Sequence, residues 1–265
     1  MTTKHHITNA EKIYVGAGYV PQIHASNERN GIEIMPLTKV SLGSPVAADV
    51  DYILDAATST ELPNTATTTY TTADDGASPF DNADTPAVST ITTSTGASAS
   101  VWALDVPRNI SVNATHVSSL VAMTVVVTGY DTYLEQVAES FSITATGTDK
   151  TAAGKKAFAY VESIAITSAG DATANTLNVG IADVLGLPFK LAAIADCLRV
   201  YFNDALDDSA TVVAAVTTTA TATTGDVRGT VDPNSACDGS AVVAWMYVAG
   251  RNTAASIKGV DLYGG

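Results

Sequence analysis

The stretch LVAMTVVVT, residues 120–128, decides the fold class, because its run of β-branched side chains is almost continuously apolar. Val and Thr favour extended backbone. A strand that is apolar on both faces is typical of the interior of a sheet that is covered on both sides. The stretch therefore predicts a central β-strand.

Similar strand candidates lie on both sides of this stretch, separated by Gly, Asp, Asn and Pro at intervals of roughly 8–12 residues, as in sandwiches and barrels. We expect an all-β fold, an antiparallel, jelly-roll-like β-sandwich with little helix. A short helix at residues 133–141 is an alternative, since Leu134, Val137 and Phe141 have helical spacing; residues 181–185 could form one helical turn. The other strand candidates are residues 110–115, 141–145, 157–168, 176–179, 198–202, 210–216, 242–249 and 257–262.

The region before this core divides into two parts by composition. Residues 1–42 contain an imperfect alternation interrupted by Pro36, which cannot donate to a strand ladder, so this part predicts an edge strand or an extended N-terminal arm. Residues 43–100 are rich in Thr, Ser and Asp and form a β or loop region. Within it, TATTTYTT and VSTITTST predict solvent-facing strands, held by their own sheet or by a neighbouring subunit. Residues 101–265 form the predicted β-sandwich core domain.

The charge balance excludes several classes of protein. The chain has 13 basic and 27 acidic residues among 265, a net charge of -14, and only 15% charged residues. Typical domains have about 25% charged residues, so Thr, Ser, Asn and Gly must supply the polar surface. Phosphate backbones are bound largely through Lys and Arg. We therefore expect no nucleic-acid partner and no anionic-membrane role.

Histidine and cysteine are too sparse and too scattered to indicate a metal or redox site. His5 and His6 are adjacent, and neighbouring side chains on an extended backbone point to opposite faces. His24 and His116 have no partner at zinc-ligand spacing. Cys197 and Cys237 read as two separate core residues, with one disulfide bridge as the alternative. No catalytic, cofactor-binding or metal residue is assigned.

Clusters of acidic residues are the other candidates for chemistry. Asp204, Asp207 and Asp208 within NDALDD are the strongest, because hard cations such as calcium prefer oxygen ligands. The stretch lacks the EF-hand pattern, so solvated loops are the simpler interpretation, and cation binding stays open. Asp74 with Asp75 and Asp81 with Asp84 are weaker pairs. Paired carboxylates also occur in glycosidases, but aromatic residues are few, and we expect no enzyme activity.

Five stretches in a fixed order resemble a family of tailed-bacteriophage virion structural proteins, the head decoration or capsid cement proteins. Their most specific elements are VPRN at residues 106–109, GKKAF at 154–158 and GLPF at 186–189. Tyr133-Leu134 stands where the resemblance places a Tyr-Gly turn. The five stretches are SPVAADVDYILDA, LDVPRNISV, VVVTGYDTYLEQVAES, GKKAFAYVESIAI and VGIADVLGLPFKL.

The residues of these three motifs also predict local structure independently of the resemblance. Arg108, the first base after a long acidic span, is either an ion-pair partner for a carboxylate or an intersubunit contact. Gly154, Lys155 and Lys156 predict a turn with two exposed cations before a strand. Residues 186–189 predict an apolar corner beside a rigid turn, serving either as a core plug or as a docking surface.

The resemblance implies a non-enzymatic structural component of a phage capsid that decorates and cements the outer shell by bridging neighbouring capsomers. Its partners would be the major capsid protein and other copies of itself, as a homotrimer, on the outer surface of the virion. An N-terminal arm suits this role, because an arm can add a strand to an exposed sheet edge. The alternative from a different class is a phage fibre or host-recognition adhesin module, although a fibre shaft usually shows repeats and the sequence has no exact internal repeat.

Overall fold

Fourteen β-strands make up nearly all the regular structure of the described residues in this computed structural model. The described residues are 37–57, 66–80, 85–116, 120–168, 175–216 and 225–247. Two 3₁₀ helices, Thr72–Asp74 and Ile194–Asp196, are the only helical segments in these ranges. The strands are β1 Leu37–Gly43, β2 Asp49–Ala57, β3 Thr67–Thr71, β4 Val88–Thr92, β5 Ser98–His116, β6 Met123–Tyr130, β7 Gln136–Ile143, β8 Lys150–Ser168, β9 Asn175–Gly186, β10 Cys197–Phe202, β11 Ala205–Asp207, β12 Thr211–Val213, β13 Thr230–Asp232 and β14 Val242–Tyr247.

The strands form two antiparallel sheets. The larger sheet follows the order β12-β13-β9-β5-β8-β6-β7, with β2 beside β9, β3 beside β8 and β4 beside β5. The smaller sheet has the order β1-β14-β10-β11. The expected all-β antiparallel sandwich is therefore confirmed. Of the strand candidates, residues 257–262 lie outside the described residues.

Each sheet buries its own hydrophobic core. The large core lies on the ten-stranded sheet and includes Trp102, Ile110 and Val125. The small core lies where the four-stranded sheet packs on β5 and β9, and it includes Leu185 and Met246. These two groups are called the large core and the small core below, and the long strands β5 and β9 contribute residues to both.

The helix expected at residues 133–141 does not form. Residues 131–135 are a turn, and Gln136–Ile143 is strand β7, which pairs with β6. The alternation in β7 explains the difference, because Val137, Phe141 and Ile143 are buried at even spacing. The four-residue spacing of Val137 and Phe141 also fits a helical repeat. Residues 181–185, the possible helical turn, lie within β9.

The Thr-rich region packs on its own chain. Strand β3 pairs with β8, and β4 pairs with β5. Phe80 stacks on Trp102 with ring centroids 5.1 Å apart, and the Trp102 indole N–H donates to Asp75 Oδ1 at 3.1 Å. Within the described residues, strands from both ranges, 43–100 and 101–265, therefore share the larger sheet.

The end of the predicted arm belongs to the smaller sheet. Strand β1 is the edge strand of that sheet and pairs with β14 from Leu37 onward. Val40 and Leu42 are buried in the small core. The edge-strand interpretation is therefore confirmed for residues 37–42, and residues 1–36 lie outside the described residues.

A tight hairpin joins β10 to β11. Phe202 pairs with Ala205, so Asn203 and Asp204 alone form the loop. Both have positive φ, 49° and 59°. Two-residue hairpins of type I′ need this backbone, and Asn-Gly is their preferred sequence.

We expect Asp204→Gly to stabilise the protein, because glycine adopts positive φ without steric cost. The expected gain in the free energy of unfolding is about 0.5 kcal/mol, measured by urea denaturation. Asp208→Gly is the control: Asp208 has no positive φ, so the same change there should give no gain. A loss of stability in Asp204→Gly would contradict this view of the hairpin.

Candidate functional site

Charged residues occupy the boundary between the large core and the small core. Burying a charge is costly unless it is paired and hydrogen-bonded, so these positions are the strongest candidates for a specific role. Three segments cross from one core to the other, and each carries a charged residue at the crossing: Arg108 between Val106 and Ile110, Asp183 between Ile181 and Leu185, and Arg228 between Val227 and Val231.

Arg108 is fully buried and its guanidinium is surrounded by acceptors. Its Nη1 lies 3.1 Å from Asp105 Oδ2, and its Nη2 lies 3.3 Å from Asp183 Oδ1. Its Nε donates to the Ala182 carbonyl at 2.7 Å, and Nη1 also donates to the Val46 carbonyl at 2.9 Å. The ion-pair expectation for Arg108 is confirmed. We call this group the Arg108 cluster.

Arg228 is the centre of a second group on the same boundary. Its Nη2 lies 2.9 Å from Asp131 Oδ2, and both side chains are almost completely buried. Its Nε donates to the Leu187 carbonyl at 3.2 Å. Its guanidinium lies 5.2 Å from the centroid of the Tyr133 ring, within the range of a cation–π contact. The Tyr133 hydroxyl in turn donates to the Pro188 carbonyl at 2.7 Å.

Asp131 links this ion pair to the β6–β7 turn. Its Oδ1 accepts the backbone N–H groups of Tyr133 at 2.7 Å and Glu135 at 3.0 Å. Leu134, between them, has a φ of 62°. This conformation favours glycine, and it occurs where the phage-family resemblance places a Tyr-Gly turn. The turn therefore keeps a glycine-type backbone with a leucine side chain.

Two carboxylates bind three successive N–H groups of strand β8. Lys155 N donates to Glu139 Oε1 at 2.7 Å, Lys156 N to Glu139 Oε2 at 3.3 Å, and Ala157 N to Asp226 Oδ2 at 3.0 Å. Here side chains supply the acceptors that a neighbouring strand would otherwise supply. We call Arg228, Asp131, Asp226, Glu139 and Lys156 the Arg228 cluster.

The expectation of a turn with two exposed cations at residues 154–156 is wrong. These residues lie within β8, where successive side chains point to opposite faces. Lys155 is exposed, whereas Lys156 is fully buried and its Nζ donates to the Ala138 carbonyl at 2.7 Å. Burial lowers the pKa of Lys156, and the nearby Glu139 carboxylate acts in the opposite direction.

Burial also raises the pKa of two carboxyl groups in the Arg228 cluster. It raises the pKa of Glu139 to about 6, although the N–H groups of Lys155 and Lys156 act to lower it. It raises the pKa of Asp226 as well, against the lowering effect of Arg228. The space is tight: a Cβ on Gly154 would lie 2.6 Å from Glu139 Oε2. Only glycine lets the Glu139 carboxylate reach the strand.

The three motifs of the phage-family resemblance meet at this boundary. VPRN supplies Arg108, GKKAF supplies the N–H groups of residues 155–157, and GLPF supplies the carbonyls of Leu187 and Pro188. Leu187 is buried in the small core and Phe189 packs against it, so the core-plug interpretation of the corner is confirmed. Sequence reasoning missed Asp183, Asp226, Arg228 and Glu139. A single charge within an apolar strand was the available signal for Asp183.

The acid clusters serve as local hydrogen-bond acceptors. Asp207 accepts the backbone N–H groups of Ser209 at 3.3 Å and Asn234 at 2.9 Å, and Asp208 accepts from the Ser209 hydroxyl at 3.4 Å. Asp204 lies in the hairpin loop described above. Within the described ranges, no group of three or more His, Cys, Asp or Glu side chains is placed to hold a metal ion. Asp74 accepts the Thr71 N–H at 2.8 Å, Asp75 accepts from Trp102, and Asp81 and Asp84 lie outside the described residues.

The remaining reactive residue types are dispersed. His116 pairs with Asp149, with 2.7 Å between Nδ1 and Oδ1, and the other three histidines lie outside the described residues. Cys197 and Cys237 are both free thiols, Cys237 buried and Cys197 half-buried. The expectation of two separate cysteines is confirmed.

Comparison of the chain with known protein families, with curated proteins and with solved structures finds no match. The phage-family resemblance therefore stays a prediction. In the described part of the chain, no helix has the length and apolar character needed to cross a membrane. The chemistry of the boundary must be judged from its geometry, in which buried donors and acceptors are directed at one another and hold the two cores together.

We expect Glu139 to make the protein less stable as pH rises from about 4.5 to about 6. Its folded pKa of about 6 exceeds its ordinary 4.5, so the folded state binds the proton more tightly. The stabilisation that protonated Glu139 provides is fully present below the unfolded-state pKa of 4.5. It is lost as the pH rises through the folded-state pKa of about 6. The loss is about 2 kcal/mol, at 1.36 kcal/mol per pKa unit.

Urea denaturation between pH 4 and pH 7 measures this effect as the difference between wild type and Glu139→Gln. The decline in the glutamine variant should be smaller by about 2 kcal/mol, with the remainder coming from groups such as Asp226, whose pKa burial also raises. The exposed Asp208→Asn control should keep the full decline. A wild-type stability that rises through this pH window, with the same slope in Glu139→Gln, would show that Glu139 ionises without cost.

Proposed function

We propose that this chain is a non-enzymatic structural protein of a tailed-phage particle, which decorates and cements the outer surface of the capsid shell by bridging neighbouring capsomers. Its partners in this proposal are the major capsid protein and further copies of itself as a homotrimer. The protein would stabilise the shell by burying surface at the interfaces between subunits. Each specific interface needs to bury on the order of 1,000 Å² or more of accessible surface.

The observation that carries the proposal is the meeting of VPRN, GKKAF and GLPF at the boundary between the cores. These are the most specific elements of the resemblance, and each supplies a buried contact in the two charged clusters. The three motifs are thus separated in the sequence but lie together at the boundary between the large core and the small core. We expect motifs that are shared by a family of static particle proteins to make such buried contacts, because these contacts fix the relative position of the two sheets.

The surface composition also supports a static role. Within the described residues, the two Thr-rich strands β3 and β4 expose or half-expose most of their side chains. Such surfaces can meet another sheet with little loss of charge hydration. The net charge of -14 would also reduce adhesion of particles to DNA and to one another.

The decisive experiment is a cryo-EM map of the particle that carries this chain. The proposal expects its density on the outer face of the shell, across capsomer boundaries. Density on the tail or on a fibre would overturn it in favour of the adhesin alternative.

Deletion of residues 1–36 tests the contribution of the N-terminal part to shell binding. The deletion ends before Leu37, because Val40 and Leu42 belong to the small core. We expect the shortened chain to lose binding to undecorated shells in a sedimentation assay, while its thermal unfolding still shows a cooperative transition. Unchanged binding would contradict a role for these residues in cementing.

A further inference from the structure

Lys156 is an amine enclosed in the protein interior. Among the lysines that the structure describes, it alone is buried, and its Nζ donates to the Ala138 carbonyl at 2.7 Å. An ammonium group loses its hydration in such a site, which favours the neutral amine. A neutral lysine amine is a nucleophile. The interior of the Arg228 cluster therefore holds a group that is able to form a covalent bond.

Two buried carboxyl groups lie in the same part of the cluster as this amine. Glu139 Oε2 accepts the backbone N–H of Lys156 itself at 3.3 Å, and Asp226 Oδ2 accepts the N–H of the next residue, Ala157, at 3.0 Å. The charges of both carboxylates act to raise the pKa of Lys156, although burial lowers it overall. The charge of Asp226 also acts to raise the pKa of Glu139. The amine and the two carboxyl groups thus share one buried space.

The surroundings of Asp226 suit a carboxyl group that is attacked by an amine. Its Oδ2 accepts the Ala157 N–H at 3.0 Å, and its Oδ1 accepts the Arg228 N–H at 2.8 Å. Two backbone N–H groups directed at a carboxyl group stabilise the negative charge that develops on its oxygen during attack. Burial raises the pKa of Asp226, which favours the protonated carboxyl group over the carboxylate.

Glu139 suits the transfer of a proton between the amine and Asp226. Its pKa of about 6 lies close to neutral pH, where a carboxyl group can both accept and return a proton. Its two oxygens are held by the N–H groups of Lys155 and Lys156. The Glu139 carboxyl group is therefore fixed on the same strand as the amine.

We propose that Lys156 and Asp226 condense within the folded chain to an isopeptide bond between Nζ and Cγ, with Glu139 as the proton carrier. The proposal concerns the chain by itself, and it holds whether or not the chain belongs to a virion. The bond would join β8 to the segment that crosses from the large core at Val227 to the small core at Val231. It would reinforce, by a covalent link, the boundary that the charge pairs already hold.

The reaction begins when one proton passes from the Lys156 ammonium to the Asp226 carboxylate, which leaves a neutral amine and a neutral carboxyl group. The flexible lysine stem turns Nζ from the Ala138 carbonyl toward Asp226 Cγ. The nitrogen lone pair forms the N–C bond, and the C=O electron pair moves to the oxygen. The Glu139 carboxylate removes one proton from the nitrogen.

Glu139 then gives this proton to the hydroxyl group on Cγ. The C–O bond breaks, the oxyanion electron pair restores the C=O bond, and one water molecule leaves. Nothing is oxidised or reduced, and the Glu139 carboxylate is regenerated, so its titration is retained. The fixed positions of the groups replace a collision in solution, and the dry interior limits hydrolysis of the product.

Mass spectrometry of the full chain tests the proposal. The folded protein is kept at pH 7 until its mass is constant, and it is then denatured and measured intact. We expect wild type to be lighter than its sequence mass by one water molecule. Trypsin should then release the fragments 156–190 and 200–228 as one joined species, because these fragments contain Lys156 and Asp226 and an acylated lysine is not cleaved.

Three variants separate the roles of the groups. Lys156→Met removes the nucleophile and Glu139→Gln removes the proton carrier, so both should keep their full sequence mass. The matched control is Lys150→Met, which changes an exposed lysine of the same strand and should still lose one water molecule. Cooperative urea unfolding of each variant checks that it is folded.

A folded wild-type chain with its full sequence mass would overturn the proposal, whatever the variants do. Water loss confined to a single tryptic fragment would also overturn it, because an Asp-Gly succinimide would then be the product. A joined species that contains residues 109–150 in place of 200–228 would overturn the assignment of Asp226, since Glu139 would then be the acylating group. Full water loss in folded Glu139→Gln would overturn the role of Glu139 as proton carrier.

Discussion

The pairing of buried charges along the boundary between the large core and the small core is the constraint on which the rest of the structure depends. Arg108 and Arg228 are almost fully buried. Removing the partner of a buried charge costs about 3–5 kcal/mol. The segments that carry the partners, β5, β9 and the β6–β7 turn, must therefore keep their relative positions, and β5 and β9 also belong to the frame of the larger sheet.

The same interactions account for local features that are otherwise unconnected. Asp131 pairs with Arg228 and also holds the β6–β7 turn, in which Leu134 keeps a positive φ. Glu139 and Asp226 supply acceptors to three N–H groups of β8. In the cementing function that we propose, this boundary would give the two sheets a fixed geometry from which to contact a shell.

Strand positions could be predicted from sequence because alternation and turn residues are local signals. The β7 error shows the limit of that reasoning: Val137 and Phe141 fit both a helical and a strand repeat, and pairing with β6 decides between them. The charged boundary could not be predicted in the same way. Arg108 stands out in the sequence as a candidate, but Asp183 joins it, and Asp131 joins Arg228, only through the sheet topology. Lys155 and Lys156 are neighbours in sequence, and only the register of β8 makes one exposed and the other buried.

The most direct test of this account compares the unfolding of the two sheets in one chain. The chain has two tryptophans, Trp102 in the large core and Trp245 on β14, so fluorotryptophan labelling gives one ¹⁹F NMR signal for each sheet during urea denaturation. In wild type we expect the two transitions to coincide. In Arg228→Met we expect both to move to lower urea and to separate, with Trp245 first. Coincident transitions at the wild-type midpoint in Arg228→Met would contradict the claim that buried charge pairs couple the two cores.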